Sequence, residues 1–185
     1  MKEVEAIKDE NVLKSIPVLL GKCYTQQIAD VWEFGINTAL RISDMLNIRY
    51  SDIRNGRLTV VESKTGKSAD IPLNAKALAI VESITEEHPE GEFLFQSRTS
   101  RNLSGRIKPL SRQYVAEAFK DIGETIGVKL GTHSMRKTRG YFLYKSTNDI
   151  ARVSKMLRHG STGVTLRYIG VDKQEVDADF NELVL

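Results

Sequence analysis

Cysteine is almost absent: Cys23 stands alone in 185 residues, which excludes an internal disulfide framework and a Cys-rich zinc site. Proline is scarce too, with four residues, and 13 glycines are too few for collagen-like or Pro-rich low complexity. No apolar run approaches the roughly 20 residues that a membrane-spanning helix needs. The first residues, MKEVEAIKDENVLK, mix both charge signs without an apolar core, so they do not read as a signal peptide. Two histidines never fall one helical turn apart, and HExxH is absent, so a metal site has little support. Gly66-Lys67-Ser68 resembles the end of a phosphate-binding P-loop, but Val61 stands where the first glycine belongs and a strand-like ADIPL follows where a helix is required. No cofactor is expected. What remains is a soluble, cytoplasmic globular chain, 41% hydrophobic and 28% charged, of one domain's length.

The net charge of +3 conceals an uneven distribution. Arg98, Arg101, Arg106, Lys108, Arg112 and Lys120 face only Glu92 and Glu117 between residues 91 and 120. Between 126 and 170, nine basic residues, among them Arg136, Lys137 and Arg139, face Asp149 alone. The last 15 residues reverse the sign. A basic body with an acidic tail suits a polyanion-binding protein, although charge alone serves equally for a solvated surface.

Helical periodicity dominates. Ile28, Val31, Trp32 and Ile36 mark a helix over residues 25–40, and a short one follows through ISDMLNI. Asn55-Gly56 is a turn signal, and RLTVVES and ADIPL read as two strands of a hairpin around a four- or five-residue loop. Asn74 can cap a helix from Ala75 to about His88, and FLF at 93–95 reads as another short strand. Ser111 can cap 112–126 with Tyr114, Val115, Ala118, Phe119 and Ile122 inward; Thr132 and Asn148 can cap the next two helices, and a short helix follows Ser161. The tail, about residues 172–185, has Val176, Phe180 and Leu183 at helical spacing and reads as a docking helix. The expected fold class is α+β, mainly α, with a small antiparallel sheet.

The chemistry is carried by position. Arg41 lies at a helix junction in TALRISDML, and Lys64 in the hairpin loop. His133 and Arg136 are three apart in THSMRKT, hence on one helix face. His159 stands in MLRHG and Tyr168 in TLRYIG. Each alone reads as an ordinary surface or core-edge residue. In this order, within GINTALRISDML, SDIRNGRLTVVESKTGK, THSMRKT and MLRHGSTGVTLRYIG, they resemble the tyrosine recombinase (phage integrase) family over roughly residues 20–172. Two positions depart from common versions: Ala39 and Arg158 stand where glycine is usual.

The resemblance implies the catalytic domain of a site-specific DNA recombinase that cuts and rejoins DNA through a 3′-phosphotyrosyl intermediate without metal or ATP. It implies that Tyr168 is the nucleophile, that Arg41 and Arg136 clamp the phosphate, and that His133 assists the tyrosine proton. It further implies that His159 bonds a phosphate oxygen and that Lys64 protonates the leaving 5′ oxygen. Asp44, one turn after Arg41, is a candidate to orient that arginine. Arg98, Arg101, Arg106, Lys108, Arg112, Lys137 and Arg139 are candidate DNA contacts. The implied partners are double-stranded DNA and further copies of the chain, a tetramer on DNA and a monomer off it, at the nucleoid. Residues 1–185 are expected to form one catalytic domain with no N-terminal DNA-binding domain. A type IB topoisomerase, and a catalytically silent DNA-binding module of this fold, are the competing readings.

Overall fold

The computed structural model describes residues 4–98 and 107–170. Arg101, Arg106 and the 172–185 tail lie outside the described residues. Five helices and a three-stranded sheet come first as α1 (Glu10–Cys23), α2 (Gln26–Thr38), α3 (Ile42–Leu46), β1 (Ile53–Arg54), β2 (Arg57–Val61), β3 (Ser68–Pro72), α4 (Ala75–Glu87) and α5 (Arg112–Thr125). The helices α6 (Ser134–Thr147), α7 (Ile150–Leu157) and α8 (Thr162–Ile169) complete the described chain. Among the described residues no helix is long and apolar enough to cross a membrane.

The sheet is antiparallel in the order β1-β2-β3. Asn55 and Gly56 both take positive φ, 51° and 71°, the two-residue turn whose twist matches a hairpin. Leu58 and Val60 point into the core while Arg57, Thr59 and Val61 face out, the period of two expected of a half-buried strand. Pairing ends at Val61↔Ser68, so the loop carrying Lys64 runs over six residues, 62–67, rather than four or five.

Two apolar clusters hold the helices. The larger joins α1, α2, α4 and α5 to the sheet, with Trp32 edge-on to Phe119 at 5.3 Å and Phe34 edge-on to Phe95 at 5.6 Å. The smaller, Ala39, Val153, Leu157 and Ile169, packs α7 and α8 beside α6. Gly140 makes that second packing possible: a Cβ there would lie 2.7 Å from Ile169 Cγ2 and 3.1 Å from Leu157 Cδ1. Gly35 likewise lets α2 approach α6, where a Cβ would meet the Met135 sulfur at 2.2 Å.

Several local expectations are corrected. Helix α1, over which no element was expected, carries Pro17 inside it; Asp9 Oδ1 caps it through Asn11 and Val12, and Ile16 and Leu20 are fully buried. The FLF segment is not a strand: Phe93 makes a single bridge with Arg49, and all three side chains are buried in a connector. Tyr114 is 38% exposed and packs edge-on to Tyr24 instead of pointing inward. Helix α6 has His133, not Thr132, at its N-cap. Asn148 ends α6 in the left-handed conformation, and Asp149 caps α7 by accepting from the Arg152 N–H. Asparagine tolerates positive φ, so it takes the C-cap and leaves the N-cap to aspartate.

Candidate active site

The six residues come from separate elements. Arg41 is at the start of α3, Lys64 is in the β2–β3 loop, His133 and Arg136 open α6, His159 follows α7, and Tyr168 is near the end of α8. Five of them converge through contacts around one phenol. The Tyr168 hydroxyl lies 3.2 Å from His133 Nδ1, and the His159 ring meets the tyrosine ring edge-on at 4.8 Å. Arg136 and Arg41 both act on the phenol through their charge. Lys64 is exposed in its loop, and its charge is felt at His159. Among the described residues Lys64 has no hydrogen bond or ion pair. Lys137, buried on α6, places its ammonium 5.2 Å from the Tyr168 ring centroid.

Arg136 is the structural centre. It is 2% exposed, and its NH1 donates to the Ala39 carbonyl at 2.5 Å while NH2 donates to the Leu157 carbonyl. Those carbonyls close α2 and α7, so one guanidinium joins the ends of two helices, satisfying groups a helix terminus leaves unpaired. Burial pushes its proton affinity down to about 10, and it remains a cation at neutral pH.

The electrostatics separate the roles of the two histidines and the tyrosine. Burial, then the charges of Arg112, Arg136, Lys137 and Arg41, lowers His133, so its ring is neutral near pH 7 and free to accept a proton. Burial and the same kind of positive surroundings push His159 down to about 4. Its Nδ1 lies 3.1 Å from Thr165 Oγ1, so with the proton on Nε2 the ring accepts from that hydroxyl and keeps its Nε2–H for a further partner. Burial raises Tyr168, against the opposing pull of Arg136 and Arg41, so the resting phenol is protonated.

Asp44 does not meet Arg41. Its Oδ1 accepts from the backbone N–H (2.9 Å) and hydroxyl (2.6 Å) of Ser63, and so anchors the lysine loop instead. The carboxylate that does meet Arg41 is Glu62, 1% exposed, with Oε1 2.8 Å from Arg41 NH1 and 2.5 Å from Arg158 Nε. Burial alone would raise it, but the hydrogen bonds from Arg158 and Thr65, the Arg158 charge and the ion pair with Arg41 together hold it at about 2. Sequence reasoning passed over Glu62; the available signal was a lone acid between a β-branched strand and a loop lysine. Both departures from glycine fall at left-handed positions, Ala39 at φ 52° and Arg158 at φ 53°.

The other basic candidates spread out. Arg112 lies close enough to His133 to act on it. Arg98 interacts with Tyr50, and Lys108 is exposed with its carbonyl accepting from Ser97. Arg139 is half-buried on α6. Among the described residues no group of three or more His, Cys, Asp or Glu side chains could hold a metal ion. A groove of about 800 Å³ lies between α3 and the sheet, lined by Asp44, Arg57 and Ser63 among others, and includes none of the six residues.

Residues 10–175 match the Phage integrase family. The chain is 37% identical over 149 residues to "Probable integrase/recombinase YoeC" of Bacillus subtilis (strain 168), covering 80% of this chain and 79% of that protein. It is 28% identical over 152 residues to "Tyrosine recombinase XerC" of Caldanaerobacter subterraneus subsp. tengcongensis, of which it spans 42%. Among solved structures, XerA recombinase superposes with a TM-score of 0.73 at 15% identity, covering 98% of this chain and 65% of that one. A lambda integrase dimer bound to a COC′ core site gives 0.71 at 22% identity, covering 94% and 62%.

Proposed function

This chain belongs to the phage integrase family of tyrosine recombinases, and we propose that it is a DNA strand-exchange enzyme that breaks and rejoins a site-specific duplex through Tyr168. The observation that carries the proposal is the phenol itself, held 3.2 Å from a neutral imidazole and beside two arginines. A phosphodiester repels nucleophiles and gathers charge on its oxygens as it reacts. Guanidiniums that fork onto those oxygens offset that charge.

The step balances. The Tyr168 oxygen attacks phosphorus while its proton passes to His133 Nδ1. The bond from phosphorus to the 5′ oxygen breaks, and that oxygen takes a proton from the Lys64 ammonium. The products are a 3′-phosphotyrosyl diester and a free 5′-hydroxyl, and the reverse attack by a 5′-hydroxyl restores both protons. His159, whose ring is edge-on to the tyrosine ring, donates its Nε2–H to a non-bridging oxygen.

Arg98, Arg101, Arg106, Lys108, Arg112, Lys137 and Arg139 contact the DNA backbone, so binding weakens with salt. Residues 1–185 act as one catalytic domain, and the acidic tail docks on the same or a neighbouring copy in a tetramer on DNA. The test is a nicked suicide duplex followed by denaturing electrophoresis. Wild type should leave a covalent protein–DNA adduct, and Tyr168→Phe should abolish it while retaining salt-sensitive binding. An adduct that persists in Tyr168→Phe refutes the assignment.

A further inference from the structure

Glu62 is a buried carboxylate that the strand-exchange chemistry above does not use. Electrostatically it works against a DNA-binding site, because it cancels charge on Arg41 where a phosphate is to dock. Its contacts point to a different task. Oε1 receives Arg41 and Arg158, and Oε2 accepts from the Thr65 hydroxyl at 2.9 Å. The backbone of the same residue folds the loop: its carbonyl accepts from the N–H of Thr65 (3.3 Å) and of Gly66 (2.8 Å), and its N–H donates to the Lys67 carbonyl (2.9 Å). Lys64 sits inside that loop, between Ser63, tied to Asp44, and Thr65, tied to Glu62. Its place is therefore set by its neighbours, and on the Thr65 side the anchor is the very side chain that grips Arg41.

Resting on the recombinase reading, we propose that Glu62 is a positioning residue for Lys64. It locks the loop carrying the proton donor to the half-buried Arg41–Arg158 pair, so that the group serving the leaving oxygen and a group holding the phosphate keep one fixed spacing. Arg158, in the left-handed position after α7, is the second post of that lock and ties the loop to the segment carrying His159.

Sulfur in place of the 5′ bridging oxygen separates this role from a merely structural one, because a thiolate leaves without being protonated. Adduct formation is measured in single turnover on oxygen and sulfur duplexes for wild type, Lys64→Ala, Glu62→Gln and Thr65→Val. On oxygen, Lys64→Ala should lose on the order of 100-fold, as for an absent general acid. Glu62→Gln and Thr65→Val should each lose on the order of ten-fold, as for a displaced one. On sulfur all three should return to within about three-fold of wild type. Glu62→Gln should also bind DNA at least as tightly as wild type, since it removes a negative charge.

Equal losses for Glu62→Gln and Thr65→Val on both substrates overturn the proposal, because the defect then lies in the arginines or the fold. Should Glu62→Gln fail to fold by circular dichroism, Thr65→Val decides alone: its side chain is exposed and touches neither arginine. Failure of sulfur to rescue Lys64→Ala removes the lysine as proton donor, and the proposal with it. A wild-type protein that yields no adduct on either substrate refutes the recombinase reading itself.

Discussion

Replacing Arg158 by glycine sets two effects of opposite sign against each other. At φ 53° a side chain with a Cβ is strained, and glycine relieves about 1 kcal/mol. The same change strips Glu62 of its shortest contact, at 2.5 Å. A carboxylate held at about 2 instead of 4.5 represents about 3 kcal/mol of folded-state stabilisation at neutral pH. Arg158 contributes both a hydrogen bond and its charge, with Thr65 and Arg41 supplying the rest; its share is roughly half, about 2 kcal/mol. The net expectation for Arg158→Gly is a loss of about 1 kcal/mol at pH 7. The sign depends on pH. Glu62 is depressed in the folded state, so the stabilisation is present above pH 4.5 and is lost as the pH falls from there toward 2. Urea unfolding of both proteins from pH 7 down to pH 2 should show the deficit shrinking to near zero at about pH 3 and reversing at pH 2, as the carboxylate protonates and the strain difference is left. A stability difference that stays constant across that range, or a glycine variant already more stable at pH 7, would refute the reasoning.

Further outcomes follow from the same geometry. Arg136→Lys should cost about 1–3 kcal/mol, because one ammonium cannot serve the Ala39 and Leu157 carbonyls together and leaves a buried acceptor unpaired; chemical denaturation checks it, and an unchanged midpoint counts against the joining role. Gly140→Ala gains about 1 kcal/mol of helix propensity but forces Ile169 away from a Cβ 2.7 Å off, at a cost of about 1–3 kcal/mol. The variant should lose adduct yield more than stability as α8 shifts Tyr168, and full yield would show that α8 does not depend on this contact. Nitrogen-15 spectra of histidine-labelled protein should find His159 neutral down to about pH 5, since its proton affinity is pushed down to about 4. A ring protonating near 6.5 would contradict the burial and positive surroundings that lower it.

The sequence made the periodic elements legible because their burial is one-sided. Val115, Ala118, Phe119 and Ile122 form the inward stripe of α5, and Leu58 and Val60 the inward face of β2. Helix α1 escaped because a proline in mid-helix reads as a breaker; the burial of Ile16 and Leu20 overrides that local cost, and only tertiary packing can decide it. The FLF segment misled for the opposite reason. Aromatic and branched residues favour strands, yet here they fill the core from a connector whose backbone groups find isolated partners, the Leu94 N–H on the Ile48 carbonyl and the Phe95 carbonyl on the Leu110 N–H.

The six reactive positions were legible as an order of residue types, whereas the groups that place them were not. Glu62 and the carbonyls of Ala39 and Leu157 act across long stretches of chain, from 21 residues between Arg136 and Leu157 to 97 between Arg136 and Ala39. No local pattern announces such partners. Their chemistry explains why Ala39 and Arg158 persist at left-handed positions. The Ala39 carbonyl is oriented onto Arg136 by that backbone turn, and the Arg158 side chain can reach Glu62 only because the chain reverses there. Local strain of about 1 kcal/mol at each is thus converted into the placement of both arginines. A site built this way should tolerate glycine at 39, where only the carbonyl matters, and resist it at 158, where the side chain does the holding. Comparing adduct rates of Ala39→Gly and Arg158→Gly tests that asymmetry, and equal effects at the two positions would break the link between backbone turn and catalytic geometry.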